Sequence, residues 1–195
     1  MTENNENVSS ASEGYGTEPV TEREGFRPST KYESVLFRVY KNAPLYEMLR
    51  VLCVAIVFLT LYAYLYFIAT SIFAAKPLEA VRLLTVTAPA FFVVSAVRLI
   101  INAPRPYEVL PFYEKAPKGT RGRSFPSRHV FSVFVIGTAL AFTSAPVGTA
   151  ILLAGVILSV CRVLLGIHFI KDTVAGAVIG VVSGVVGMLI TGFFF

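Results

Sequence analysis

The chain has 195 residues, enough for one domain, and 55% of them are hydrophobic while only 15% are charged. Soluble globular domains carry charge on about a quarter of their residues, so this deficit, with a mean hydropathy of +0.68, excludes an ordinary water-soluble globule and points to lipid. The net charge is +5, and the basic residues cluster between apolar runs, which suits a membrane surface or an anionic substrate and argues against nucleic acid as a partner.

In chain order, residues 1–27 are rich in Glu, Asn, Ser, Thr and Gly and lack an apolar run. They cannot bury enough surface to offset ordering entropy, so they read as a disordered acidic tail ahead of one transmembrane domain over 28–195. No apolar stretch of signal-peptide type is found there. Thr30-Lys31-Tyr32-Glu33 fits a capping box, with Thr30 as N-cap and Glu33 reaching back. Tyr32, Val35, Leu36, Val39 and Tyr40 then recur at helical spacing opposite Lys31, Arg38 and Lys41, and Pro44 ends or kinks the element. The pattern predicts an amphipathic helix lying in the membrane interface; a soluble helix capping the bundle is the alternative.

Val51 to Ala75 holds no charged residue, and about 25 residues at 1.5 Å each reach about 37 Å, enough to cross a hydrocarbon core of about 30 Å with some tilt. Ala80 to Ile101 predicts a second span, and a polar, proline-bearing loop over Asn102 to Pro126 follows. Val130 to Phe142, Val147 to Leu165 and Thr173 to Phe195 predict three more. The expected fold is therefore all-α, a polytopic transmembrane helix bundle of about five spans with an N-terminal interfacial helix. Gly176, Gly180 and Gly184, four apart, form a small-residue ribbon that packs the last helix closely. Cys53 and Cys161 lie inside apolar segments and read as small core residues, not a disulfide.

Scarcity marks the chemistry. The chain has two histidines, His129 and His168, and one aspartate, Asp172, which is the only acid after Glu114. From Ser127 onward the only charged or imidazole side chains are Arg128, His129, Arg162, His168, Lys171 and Asp172, all near ends of the last three spans. Ionisable residues at membrane depth cost about 2.5–3.5 kcal/mol each on insertion scales, so they default to functional hypotheses; Lys171 alone reads as a snorkelling interface residue. His168 and Asp172 are i and i+4, so a helix starting near His168 lets them touch. A carboxylate on one imidazole nitrogen leaves the other free as a nucleophile. A helix beginning at Pro126-Ser127-Arg128-His129 offers free backbone N–H groups to an anion, with a hydroxyl from Ser127 and a proton donor in His129. Arg98, Arg105 and Arg162 add guanidinium groups, whose forks match phosphate oxygens.

These residues resemble the motifs of the type 2 phosphatidic acid phosphatase superfamily. The first is a basic residue, six others and Arg-Pro, here Arg98, Leu99 to Pro104, and Arg105-Pro106. The second is Pro-Ser-Gly-His, here Pro126-Ser127-Arg128-His129. The third is Ser-Arg, five residues, His, three residues, Asp, here Cys161-Arg162, His168 and Asp172. Arg98 stands for the usual lysine, Arg128 for glycine and Cys161 for serine; none of these changes removes a chemically essential group. Arg128 either clashes or adds a phosphate or headgroup contact.

The resemblance implies a phosphatase acting on a lipid or polyprenyl phosphate or pyrophosphate through a phosphohistidine. His168 is then the nucleophile, Asp172 its orienting carboxylate and His129 the general acid/base. Arg98, Arg105, Ser127 and Arg162 bind phosphate, and no metal or other cofactor is expected. Specificity is expected in Asn102 to Arg123 and in the groove between spans. The rival readings are a lipid phosphotransferase, which hands the phosphoryl group to an acceptor other than water, and an anion channel or transporter. A soluble vanadate haloperoxidase, which has the same kind of site, is disfavoured by the five spans. Five spans put the tail and all three motifs on one side of what is expected to be a bacterial plasma membrane. The excess of Lys and Arg on that side predicts a cytoplasmic site, whereas the family resemblance implies six spans and an outward-facing one.

Overall fold

The structure, a computed structural model, describes residues 28–110, 112–113 and 121–194. The acidic tail expected over 1–27 lies outside the described residues, as do Lys115 and Lys118 of the polar loop. Every regular element among the described residues is a helix: α1 (Lys31–Lys41), α2 (Ala43–Phe73), α3 (Pro77–Ile101), α4 (Pro106–Val109), α5 (Arg128–Thr143), α6 (Ala145–Leu164) and α7 (Ile170–Phe194).

The local signals explain where the first helices start and stop. The Thr30 hydroxyl accepts from the Glu33 N–H at 3.1 Å, as a cap should. The reciprocal arm of the box is displaced by one residue: Glu33 Oε2 takes the N–H of Ser29 at 2.7 Å, not that of Thr30. α1 ends at Lys41 and Asn42 caps α2, its side chain accepting from Leu45 N–H at 3.1 Å. Pro44 therefore sits in the first turn of α2, where its missing N–H costs nothing. α1 buries Leu36 and Val39 and packs on α2 and α6, while Phe37 and Tyr40 meet Phe112 and Tyr113 edge-on.

Among the described residues four helices are long and apolar enough to cross a membrane, including α2, α6 and α7. The third expected span, α5, is shorter. Its 16 residues reach only about 24 Å at 1.5 Å per residue, less than a hydrocarbon core of about 30 Å. The reason is its place: α5 touches α2, α3, α6 and α7, and nine of its residues are buried. A helix surrounded by protein has no need to match the lipid thickness. α5 and α7 pack most intimately, because a Cβ on Gly176 would meet the Ser127 carbonyl at 2.7 Å and one on Gly180 the Phe131 carbonyl at 2.8 Å. The glycine ribbon is thus a packing device, as its spacing predicts, and it brings the start of α7 against the start of α5.

Candidate active site

The three motif segments meet at one end of the bundle. The Ser127 N–H donates to the Asp172 carbonyl at 2.9 Å, Ser124 N–H to the Ala103 carbonyl at 2.8 Å and Tyr107 N–H to the Gly166 carbonyl at 3.2 Å. These bonds tie the loop ahead of α5 to α7, to the end of α3 and to the α6–α7 turn. α4, not expected from the sequence, begins at Pro106 after the extended Arg105, whose own N–H is taken by Glu108 Oε2 at 2.9 Å. Proline at the first helical position with an acid two residues on is a start signal. Within a loop already read as irregular, it marks only four residues.

His168 is 1% exposed and Asp172 fully buried. They approach as the spacing predicts, with Nδ1 to Oδ2 at 3.7 Å, too long for a direct hydrogen bond. His168 precedes α7 and does not belong to its first turn, and Asp172 Oδ2 is drawn back to the helix start, accepting from Phe169 N–H at 3.0 Å. Fully buried Ser124 fills the gap. Its hydroxyl donates to Asp172 Oδ2 and lies 3.2 Å from His168 Nδ1. A hydroxyl has one proton to give; with that proton on Asp172, its oxygen accepts from Nδ1–H. The resulting tautomer leaves Nε2 with its lone pair. Burial pushes the His168 imidazole below its ordinary range, with Arg105 and Arg162 adding to the effect and Asp172 opposing it, so the ring is neutral at pH 7.

Sequence reasoning missed Ser124. It stands three residues before Ser127 in a polar loop, and no local pattern marks it; its part depends on a contact 48 residues away along the chain.

The remaining expected residues converge on the same end. Ser127 is the N-cap of α5 and fully buried, yet its hydroxyl has no partner among the described residues; the same holds for Arg162 Nε and Asp172 Oδ1. Buried polar groups are nearly always bonded, so orphaned donors on Ser127 and Arg162 mark a place built for an acceptor. His129 is half-buried in the first turn of α5, where the charges of Arg162, Arg128 and Arg98 reach it. Arg98 is buried at the end of α3 and donates to the Arg123 carbonyl. Arg105 Nε donates to the Gly122 carbonyl at 3.0 Å. Arg128 does not clash: it is exposed and its guanidinium lies 5.5 Å over the Phe91 ring. Lys171 is exposed and rests near Phe169, away from the cluster. Cys53 and Cys161 are both buried and free.

The arrangement gathers guanidinium groups, unpartnered hydrogen-bond donors and a buried imidazole at one end of the bundle, a chemistry suited to an anion. Residues 79–194, more than half of the chain, match the sequence model of the PAP2 superfamily. No curated protein matches the chain in sequence. Solved structures share the fold, among them two crystal structures. LpxE of Aquifex aeolicus is 24% identical with a TM-score of 0.60, over 79% of this chain and 93% of that one. The first transmembrane PAP2 type phosphatidylglycerolphosphate phosphatase from Bacillus subtilis is 16% identical with a TM-score of 0.60, over 84% and 94%. With the motif residues of three chain segments gathered at one end of a matching helical bundle, the chain belongs to the PAP2 superfamily and has the fold of its membrane phosphatases.

Proposed function

We propose that the protein hydrolyses a lipid or polyprenyl phosphate, or the corresponding pyrophosphate, through a phosphohistidine and without a metal. The observation that carries this reading is the buried His168, held by Ser124 and Asp172 with Nε2 free, beside the orphaned donors of Ser127 and Arg162. Nε2 attacks phosphorus in line, and the P–O bond to the lipid breaks. Its electrons leave on the lipid oxygen, which takes a proton from His129. Arg98, Arg105, Arg162, Ser127 and the free N–H groups of α5 hold the equatorial oxygens. Water then attacks phosphorus, giving its proton to His129; the P–N bond breaks and the electrons return to Nε2. The balance is lipid phosphate plus water to lipid alcohol plus inorganic phosphate.

Guanidinium groups supply the positive charge that a metal would otherwise bring. Among the described residues His, Cys, Asp and Glu form no group of three able to ligate an ion, and Asp172 Oδ2 is already engaged by Ser124 and the Phe169 N–H. A phosphotransferase would use the same first step, and dependence on an acceptor lipid separates it. In what we infer to be a bacterial plasma membrane, the basic residues favour a site on the cytoplasmic side. Leaving out the site arginines, Lys31, Arg38, Lys41 and Arg50 flank the site end, against Lys76 and Arg82 at the far end.

The test is phosphate release from a panel of lipid phosphates and pyrophosphates in detergent with EDTA present, beside His168→Ala. Wild type is expected to release phosphate, and His168→Ala to lose about 10⁴-fold or more, as nucleophile removal does elsewhere. Full activity in folded His168→Ala protein overturns the assignment.

A further inference from the structure

An aromatic stack joins α1 to the turn that carries His168. Tyr32, Leu36, Val39 and Tyr40 share one face of α1 at helical spacing, Leu36 and Val39 are buried there, and the helix packs on α2 and α6. Tyr40 meets the Tyr113 ring at 5.0 Å and Phe37 the Phe112 ring at 5.5 Å. The Tyr113 hydroxyl in turn presses on the α6–α7 turn: it occupies the place of a Cβ on Gly166, which is left-handed at φ 67°. His168 follows two residues later, its backbone N–H on the Arg162 carbonyl at 3.3 Å.

Three buried side-chain atoms on these elements and on α7 have no hydrogen-bond partner among the described residues: the hydroxyls of Tyr32 and Tyr113, and Asp172 Oδ1. Two are donors and the third is a carboxylate acceptor. They are neighbours. Burial raises the Tyr32 phenol above its ordinary range, and the Asp172 charge reaches it and adds to the effect. Burial likewise raises the Tyr113 phenol, with Tyr46, Tyr32 and Tyr40 adding to it. Both phenols therefore keep their protons at pH 7 and are able to donate. Tyr46, in the same aromatic layer, is different, because the ionic groups that reach it are Glu47 and Arg50. The two oxygens of Asp172 are also unlike. Oδ2 accepts from the Ser124 hydroxyl and the Phe169 N–H, whereas Oδ1 accepts from none of the described residues. A buried carboxylate oxygen without a donor is costly, and a phenol hydroxyl shielded from water beside it is its complement.

We propose that Tyr32 is a positioning residue for the phosphoryl transfer, its hydroxyl donating to Asp172 Oδ1 directly or through one water, with Tyr113 as the second donor of the cluster. The inference rests on the phosphatase reading above. A bridging water holds nearly as well as a direct bond. One oxygen of Asp172 then serves His168 by way of Ser124, and the other is held from α1. With both oxygens engaged the carboxylate does not turn about its own axis, so the Ser124 bridge stays on Nδ1 and Nε2 keeps its lone pair. The interfacial helix is thereby part of the catalytic apparatus.

The experiment measures kcat and KM for Tyr32→Phe, Tyr113→Phe and Tyr46→Phe on the lipid phosphate that wild type hydrolyses best, with thermal midpoints of the intact proteins in detergent. Each variant loses one oxygen and keeps its ring. Tyr32→Phe is expected to lose about tenfold in kcat, the lower end for outer partners of an imidazole, with KM within about twofold of wild type. Tyr113→Phe is expected to lose less and Tyr46→Phe nothing. A kcat for Tyr32→Phe equal to that of Tyr46→Phe overturns the proposal, and so does a loss that falls on KM. The contact itself is read from a double-variant cycle. Tyr32→Phe is expected to lower the midpoint in the wild-type background and to leave it in place in Asp172→Ala, which has no carboxylate to serve. Equal lowering in both backgrounds overturns the contact. If Asp172→Ala does not fold, the midpoints of Tyr32→Phe and Tyr46→Phe decide, since only the first strips a buried carboxylate oxygen of its donor; equal midpoints overturn the contact. Absence of lipid hydrolysis by wild type would fault the phosphatase reading instead, and the thermal cycle would still decide the contact.

Discussion

α2 and α7 are both long, strongly apolar helices able to cross a membrane, and they do opposite work. α2 turns large side chains outward, with Phe58 and Leu59 each 66% exposed. α7 buries Gly176, Gly180 and Gly184 against the backbone of α5. Hydropathy does not separate the two helices; side-chain size does. In lipid there is little hydrophobic gain from joining two apolar helices, so association follows close packing and small residues. The seam that results is what sets Asp172 against Ser127 and thereby assembles the site.

The seam is most sensitive at Gly180. A Leu there has no room beside the Phe131 carbonyl and the Phe134 Cβ, each 2.8 Å from a new Cβ. Overpacking of this kind costs roughly 1–3 kcal/mol, and separation of α5 from α7 would pull Ser127 from Asp172. Gly180→Leu is therefore expected to lower the thermal midpoint in detergent and to abolish most phosphate release. Leu59→Ala on α2, which removes three carbons from an exposed face where Gly180→Leu adds four to a buried one, is expected to stay within about 0.5 kcal/mol of wild type. Equal losses from the two variants would show that size at the seam is not what matters.

The same contrast explains what could be read from the sequence. Spans, the glycine ribbon, the Thr30 cap and the His168–Asp172 spacing are periodic or local, and each has its counterpart in the structure. The short α5 is legible only by its place inside the bundle, since its apolar residues read like those of any span. The Ser124 link and the reach of Asp172 to Tyr32 are long-range products of the fold. Tyr32 in a sequence is one position on the inner face of an amphipathic helix, and only the packed bundle sets it near a carboxylate of the last helix.

Ser124 stands at the polar end of the seam. If α7 merely carried Asp172 to His168, the serine would be dispensable. With a bridge through its hydroxyl, Ser124→Ala leaves Nδ1–H and the Asp172 carboxylate 3.7 Å apart with no intervening donor. A loss of roughly 10- to 100-fold in kcat is expected, the size seen when outer-shell partners of an imidazole are removed. KM should change little, because the Ser124 hydroxyl is engaged with His168 Nδ1 and Asp172 Oδ2 and is not among the unpartnered donors. A loss confined to KM would contradict the bridge.

The smallest effect concerns acidity. His168 lies below its ordinary value because it is buried, and Arg105 is one of the charges that add to this. Protonation of His168 removes the attacking lone pair, so the acid limb of kcat/KM that it sets falls below about pH 6.5, the unperturbed imidazole value. Arg105→Ala removes a neighbouring positive charge and makes the imidazolium easier to form, so its pKa rises and the acid limb moves to higher pH, even as phosphate binding weakens. Burial, the larger cause, remains, so the shift is expected to be a fraction of a pH unit. Arg82 at the far end of α3, where it donates to the Met188 carbonyl at 3.1 Å, is the control: Arg82→Ala removes an equal charge and is expected to leave the limb in place. A limb that moved toward acid in Arg105→Ala, or moved equally in both variants, would mean that the Arg105 charge does not act on the nucleophile.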